Sequence, residues 1–362
     1  MAQGRSPFRV KGIATLAHHL NATYDIDVAA MTELDLGVIR VDRHDGPSWV
    51  ARVFPLSRSL DDVRRDAIVL EQLERGGFPA ERNAASEPVS THEGQAVLVT
   101  TFLVGERPRP GGRTFAYLGA LLGALHAREG LNLSPGGGWH HVVSSGTPGD
   151  EVRALQTMLA DFAPSVAPAD RASLKALSKA VSEIDTCDDL PHRFVHPDMV
   201  PLNAVELNDG SIAIVDWANA GRGPRLWSLG MALFAAGVRD ARLIEKFVSR
   251  YVKWSSLEPE ELERLDAAIR AVSYTHLLGR VDARRDAHRF KLRLRSYARE
   301  QQDMRGTHCA RAHDDFLSGF DRDRRPVSGL VLDAARDDRA IVTLEDDLRH
   351  VRLGDDGKIG PE

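Results

Sequence analysis

Apolar and polar residues alternate through much of the first hundred positions, and turn-forming residues interrupt the alternation at intervals. Residues 32–41 read as strand–turn–strand or one bent strand, with Gly37 available for the turn. His44-Asp45-Gly46-Pro47 marks a second turn, and residues 48–54 alternate into a further strand. Ser59 then stands as a helix N-cap, with Asp61 and Asp62 in the first turn and Gly76-Gly77 as the stop. Within that helix Val63, Ala67, Leu70 and Leu73 recur at helical spacing and form the buried stripe. Residues 96–106 form a strand running into Gly105, and a helix around Ile13 and Leu20 precedes the whole set.

Past the Pro- and Gly-rich linker Arg107-Pro108-Arg109-Pro110-Gly111-Gly112 the period becomes helical. Thr114 caps a helix whose Tyr117, Leu118, Leu121, Leu122 and Leu125 face a core, with His126 read as a buried structural histidine. Further helices are expected at about 150–163, 168–184, 226–237, 239–254, 257–279, 282–305 and 312–320. Two short apolar strands, 193–196 and 212–215, break this run. Asn208-Asp209-Gly210 between them suits a tight turn, so the two are expected to pair as a hairpin. After Arg324-Arg325-Pro326 three short strands are expected at 329–332, 340–344 and 348–353. That last piece, 327–362, is too small to be stable alone. It is expected to pack on the body or on a second copy of the chain, as in a homodimer.

Composition narrows the class. A chain of 362 residues can form two domains, each with its own core, and 43% hydrophobic with 27% charged residues is ordinary for a globular protein. Two cysteines, Cys187 and Cys309, exclude a disulfide framework, contain no C-x-x-C and point to the cytoplasm. Residues 1–11 hold no apolar run, and no window approaches ~20 uninterrupted apolar residues, so neither a signal peptide nor a membrane span is expected. A net charge of −5 does not indicate nucleic-acid binding. Residues 280–325 carry 13 Lys and Arg against 8 Asp and Glu, which reads as a solvated helical face. The adjacent His140 and His141 lack further ligands for a metal. No GxxxxGK[ST], HExxH or G-x-S-x-G occurs, so P-loop, zincin and serine-hydrolase chemistry has no footing.

The chemistry-bearing stretch is His196-Pro197-Asp198-Met199-Val200-Pro201-Leu202-Asn203, followed by Ile214-Val215-Asp216-Trp217. On a hairpin, Asp198, Asn203 and Asp216 converge at one end. Phosphoryl transfer from a magnesium nucleotide needs such a set. One carboxylate orients the attacking hydroxyl and takes its proton, while an Asn and a second Asp hold the metal that neutralises the phosphates.

The segment from His196 to Asn203 resembles the H-x-D-x-x-x-x-N catalytic loop of the aminoglycoside phosphotransferase and choline kinase superfamily, relatives of protein kinases. Val215-Asp216-Trp217, with Gly221 to Trp227 behind it, is similar to that family's magnesium-binding Asp segment and the helix start after it. The resemblance covers roughly residues 30–320. It implies an α+β, two-lobed protein-kinase-like fold: a small antiparallel-sheet N-lobe at 1–104, a mostly helical C-lobe at 105–326, and a short β-rich appendage at 327–362. It implies ATP and Mg2+ as cofactors and transfer of the γ-phosphate to a hydroxyl of a small molecule. Asp198 would be the base, and Asn203 and Asp216 the metal ligands. Arg52 would clamp phosphate where the family usually has Lys, and Asp66 would pair with it in place of a Glu. The linker backbone at Thr101, Phe102 and Leu103 would bind adenine. Pro197 stands for the usual Gly, and Asn219 and Ser228 stand where acidic residues are common; Ser228 can cap the following helix. These departures, with Arg52, leave a catalytically weak or silent nucleotide-binding protein as the alternative.

Overall fold

The computed structural model describes residues 13–128, 147–237, 240–279, 352–353 and 359–360. In chain order the elements begin α1 (Ile13–Tyr24), β1 (Val28–Asp35), β2 (Val38–Arg43), β3 (Trp49–Val53), α2 (Leu60–Arg75), β4 (Val89–His92), β5 (Gln95–Thr101) and β6 (Gly105–Glu106). Then come α3 (Gly112–Ala127), α4 (Pro148–Phe162), α5 (Arg171–Ser182), β7 (His192–Val195), β8 (Ala204–Leu207), β9 (Ile212–Ile214), β10 (Gly221–Pro224), α6 (Arg225–Gly237), α7 (Ala241–Tyr251) and α8 (Pro259–Gly279). The helices expected at 282–305 and 312–320, His140-His141 and the basic stretch 280–325 lie outside the described residues. Of the three strands expected after residue 326 only β11 (Arg352–Leu353) falls within them, together with β12 (Ile359–Gly360). Among the described residues no helix is long and apolar enough to cross a membrane.

The chain divides into two compact units. Among the described residues the first holds 13–107 with 204–218 and 359–360, and the second holds the remainder. The β8–β9 hairpin therefore belongs with the first unit, although helical sequence flanks it on both sides.

The first unit is built on an antiparallel five-stranded sheet ordered β1-β2-β3-β5-β4. Side chains alternate across a strand, and this separates the two faces. Ile39, Val41, Trp49, Ala51, Val53, Val97 and Val99 point to one face, where Leu16 and Leu20 of α1 complete a dry cluster. Arg52 and Leu98, opposite each other in the β3–β5 ladder, point to the other face, beside Asp66 and Leu70 of α2. Helix α2 starts as its sequence predicts. Ser59 and Asp62 form a reciprocal capping box, and Val63, Ala67, Leu70 and Leu73 are all buried. Gly37 takes φ +73° in the β1–β2 turn, a conformation glycine adopts without steric penalty.

The hairpin expected between residues 193–196 and 212–215 does not form. Instead β9 pairs with β8, through the Asn208-Asp209-Gly210 turn, in which Gly210 has φ +82°. The strand covering 193–196 pairs with β10. The turn forms where expected, but its upstream partner is 204–207, the strand that runs directly into it.

The second unit is helical. Helix α6 is buried on almost every side, and its first residue, Arg225, donates from Nε and Nη2 to the two carboxylate oxygens of Glu261 at 2.7 and 2.5 Å. Gly111, rather than Thr114, is the N-cap of α3, and the Thr114 hydroxyl donates to the Arg109 carbonyl at 2.7 Å. Helices α3 and α7 cross very closely. A Cβ on Gly119 would lie 2.1 Å from the Phe247 carbonyl oxygen, and one on Gly123 would lie 2.6 Å from that of Tyr251. Only a missing side chain permits this approach. Gly119→Ala is expected to lower stability by about 1–3 kcal/mol through overpacking, while Gly112→Ala, with its nearest neighbour at 3.7 Å, should leave it unchanged. Urea unfolding of both variants checks the contrast.

Candidate active site

The first unit places Arg52, Asp66, Glu81 and Asp216 together. Strand β9 ends at Ile214, and the chain then turns sharply, with Asp216 at φ +66°. Trp217 anchors the turn. Its indole N–H donates to the Ile214 carbonyl at 2.9 Å, and its buried ring meets Phe78 edge-on at 5.6 Å. The Asp216 carboxylate accepts a short hydrogen bond from Nη1 of Arg52. Its backbone N–H donates to Glu81 Oε1 at 2.7 Å.

The expected pairing of Arg52 with Asp66 is replaced by another. Asp66 is bound by Arg58 at 2.5 Å, both side chains being almost fully buried, and Arg52 takes Asp216 instead. Arg58 comes from the β3–α2 connection, with its guanidinium 5.1 Å from the Phe54 ring. Asp66 is one methylene shorter than the Glu usual at that place in the family. Asp66 still acts on Arg52 through its charge. Burial works against the Arg52 cation, but Asp216 and then Glu81 outweigh it, and the guanidinium is held above its ordinary pKa. Glu81 is pushed up from the usual carboxyl range, first by burial and then by the neighbouring Asp216, against the pull of Arg52.

Neither Glu81 nor Arg58 stood out in the sequence. Glu81 follows helix α2 in a segment without periodicity, and only its partners, 19 and 135 positions away, give it a role. Arg58 sits in a turn rich in polar residues, where a buried guanidinium has no sequence signature.

At the linker, the N–H groups of Thr101 and Phe102 are already used, donating to the carbonyls of Arg82 and Ser48 at 2.9 Å each. Leu103 makes no backbone hydrogen bond among the described residues, so of the three it alone offers a spare N–H to a nucleobase. Arg40 lies 4.4 Å over the Phe102 ring.

The second unit holds Asp198 and Asn203 in one loop. The Asn203 amide donates to the Asp198 backbone carbonyl at 2.9 Å and to its Oδ2 at 3.0 Å. This orientation leaves Asn203 Oδ1 without a hydrogen bond among the described residues, and Oδ1 is the atom a cation would take. Pro197 is accommodated because its missing N–H is not needed: the next amide, that of Asp198, donates to His196 Nδ1 at 3.0 Å. Ser228 does not cap helix α6. It lies inside the helix and donates to the His196 carbonyl at 2.6 Å, tying the loop to the helix core. His126 is fully buried against Tyr251, with Nδ1 3.0 Å from the phenol oxygen, and burial holds it well below its ordinary pKa.

All the candidate ligands are oxygen donors, the set a hard divalent cation takes. Among the described residues no three His, Cys, Asp or Glu side chains gather as a metal cluster.

Antiparallel sheet with α2 in one unit, and a helical unit carrying an H-x-D-x-x-x-x-N loop, define a protein-kinase-like fold. The chain belongs to the phosphotransferase enzyme family, whose profile matches residues 35–265. Among solved structures it is similar to an aminoglycoside phosphotransferase from Alicyclobacillus acidocaldarius, with 15% identity, a TM-score of 0.55, and coverage of 87% of this chain and 96% of that one. It is also similar to the amicoumacin kinase hAmiN, solved with AMP-PNP and Ca2+, at 14% identity and a TM-score of 0.54 over 76% of this chain and 91% of that one. No curated protein sequence matches.

The buried Arg58–Asp66 pair yields a stability prediction. Removing one partner of such a pair costs about 3–5 kcal/mol. Arg58→Ala is therefore expected to fall in that range in a urea titration, whereas Arg64→Ala, whose partner Asp61 is exposed, should change stability by at most about 1 kcal/mol.

Proposed function

We propose that this protein transfers the γ-phosphate of ATP to a hydroxyl group of a small molecule. The observation that carries the reading is the loop in which Asn203 braces Asp198 through two hydrogen bonds from its amide nitrogen, so that its own oxygen is not used in them. In the proposed reaction the acceptor oxygen bonds to the γ-phosphorus, the bond from that phosphorus to the bridging oxygen of ADP breaks, and the hydroxyl proton passes to Asp198. Arg52 would hold the phosphates, with Asp66 contributing through its charge, and Leu103, following Thr101 and Phe102, would meet the adenine. Asn203 and Asp216 would hold magnesium, which supplies charge neutralisation at the phosphates when bound. In the present structure Arg52 lies on Asp216, so nucleotide binding must draw that guanidinium from carboxylate to phosphate. The same contact is what favours the alternative, a nucleotide binder without turnover. The AMP-PNP and Ca2+ of the amicoumacin kinase structure support a nucleotide with a divalent ion, and buried Cys187 suits a reducing cytoplasm.

Screening hydroxyl compounds for acceptor-stimulated ADP release tests the reading. With an acceptor in hand, Asp198→Asn should lower kcat by roughly two to four orders of magnitude, as for loss of a general base, with ATP affinity little changed. Arg52→Ala should weaken ATP binding or turnover at least tenfold, about 1.4 kcal/mol. Wild-type turnover in Asp198→Asn, or no acceptor response from any compound, decides against it.

A further inference from the structure

We propose that Glu81 is a positioning residue of the phosphotransfer site: its carboxylate holds the backbone N–H of Asp216 and so fixes the left-handed turn that aims the Asp216 side chain. The inference rests on the phosphotransfer reading for its catalytic consequence, but the hold itself stands on geometry alone.

The segment carrying Glu81 is laced to β9 residue by residue. Ile214 N–H donates to the Pro79 carbonyl at 2.9 Å, and Glu81 N–H donates to the Ile214 carbonyl at 3.0 Å. The main chain of 79–81 thus runs beside β9, with Ala80 bridged in parallel to Ile214. Where the main-chain ladder ends, the side chain continues it: Glu81 Oε1 accepts from Asp216 N–H at 2.7 Å. The other oxygen, Oε2, accepts from the Thr100 hydroxyl at 3.2 Å, so the carboxylate is fixed at both ends. Glu81 is only 8% exposed.

This hold is aimed at the residue that needs it. Asp216 is not glycine yet adopts φ +66°. A residue in that region relaxes unless neighbouring contacts over-determine it. Relaxation would swing the Asp216 carboxylate away from the position proposed for metal and phosphate. Arg52 binds the Asp216 side chain, but in the proposed reaction it is drawn to phosphate. Glu81 binds the backbone, and that contact persists when the side chain changes partners.

Two near-isosteric variants separate hold from charge. Glu81→Gln keeps an acceptor oxygen at the same reach and removes the charge. Glu81→Asp keeps the charge and withdraws the carboxylate by one methylene from the Asp216 amide. The first readout is the Asp216 amide resonance in nucleotide-free protein labelled with 15N-aspartate, identified by its loss in Asp216→Asn. It should move little in Glu81→Gln and shift toward an unbonded amide in Glu81→Asp. The second is steady-state kinetics: kcat should fall at least about tenfold in Glu81→Asp with KM for ATP within about threefold, and stay within about threefold of wild type in Glu81→Gln. The reverse order, or an Asp216 resonance unmoved in Glu81→Asp, overturns the proposal. If wild-type protein phosphorylates no acceptor, the phosphotransfer reading fails, and the amide resonance alone still decides whether Glu81 holds Asp216.

Discussion

Arg52 projects from β3 opposite to Ala51 and Val53 because those two occupy the core positions against α1, and a strand cannot place neighbours on one face. It therefore enters the face of the sheet shared with α2 as a cation among carboxylates. Around it stand Asp66, Glu81 and Asp216, with Arg58 the other guanidinium. Taken as ionised, the group has three negative charges and two positive ones. The charges are paired with one another, so the elements that carry them, β3, α2, the segment after α2 and the turn after β9, are bound to one another's positions. The anchor is electrostatic, but its geometry comes from the alternation of the sheet.

The turn after β9 shows how such a cluster can hold strain. A left-handed conformation costs a non-glycine residue about 1–2 kcal/mol, and a hydrogen bond to a charged group contributes roughly 1.5–3 kcal/mol. The bond from Asp216 N–H to Glu81 is therefore sufficient to offset the strain, before the Arg52 ion pair is counted. Buried Trp217 fixes the chain just beyond. The Asp-Trp pair after Ile-Val thus works as a local unit in which one residue binds and the next anchors.

Much of this was legible in the sequence where the determinants are local. The Ser59 cap of α2, the glycine turns and the buried stripe all follow from spacing within a few residues, and each formed where the pattern put it. The Asn208-Asp209-Gly210 turn was equally plain, but its upstream strand was not. Residues 193–196 and 204–207 are both short and apolar enough to pair with β9, but only 204–207 runs directly into the turn. Strand β7 is taken instead by β10, a partner some thirty positions away. The Ser228 bond to His196 and the Glu81 bond to Asp216 share that character. Both join residues far apart in sequence, through single side chains in segments without periodicity.

Arg52 and Arg58 take different carboxylates of the cluster. A Lys at position 52 with a Glu at 66 would place a point charge between them. Arg52 carries a planar fork that extends farther, while Asp66 is shorter by a methylene, so the combined reach is about the same and the pairing is decided by the second cation, Arg58. Two things follow in the structure: Arg58 fills the vacancy at Asp66, and Arg52 reaches on to Asp216. The substitution at 52 is thus matched by a second arginine rather than by its expected acidic partner alone. Arg52 thus joins β3 to the turn after β9, while Arg58 secures α2 to the connection that follows β3.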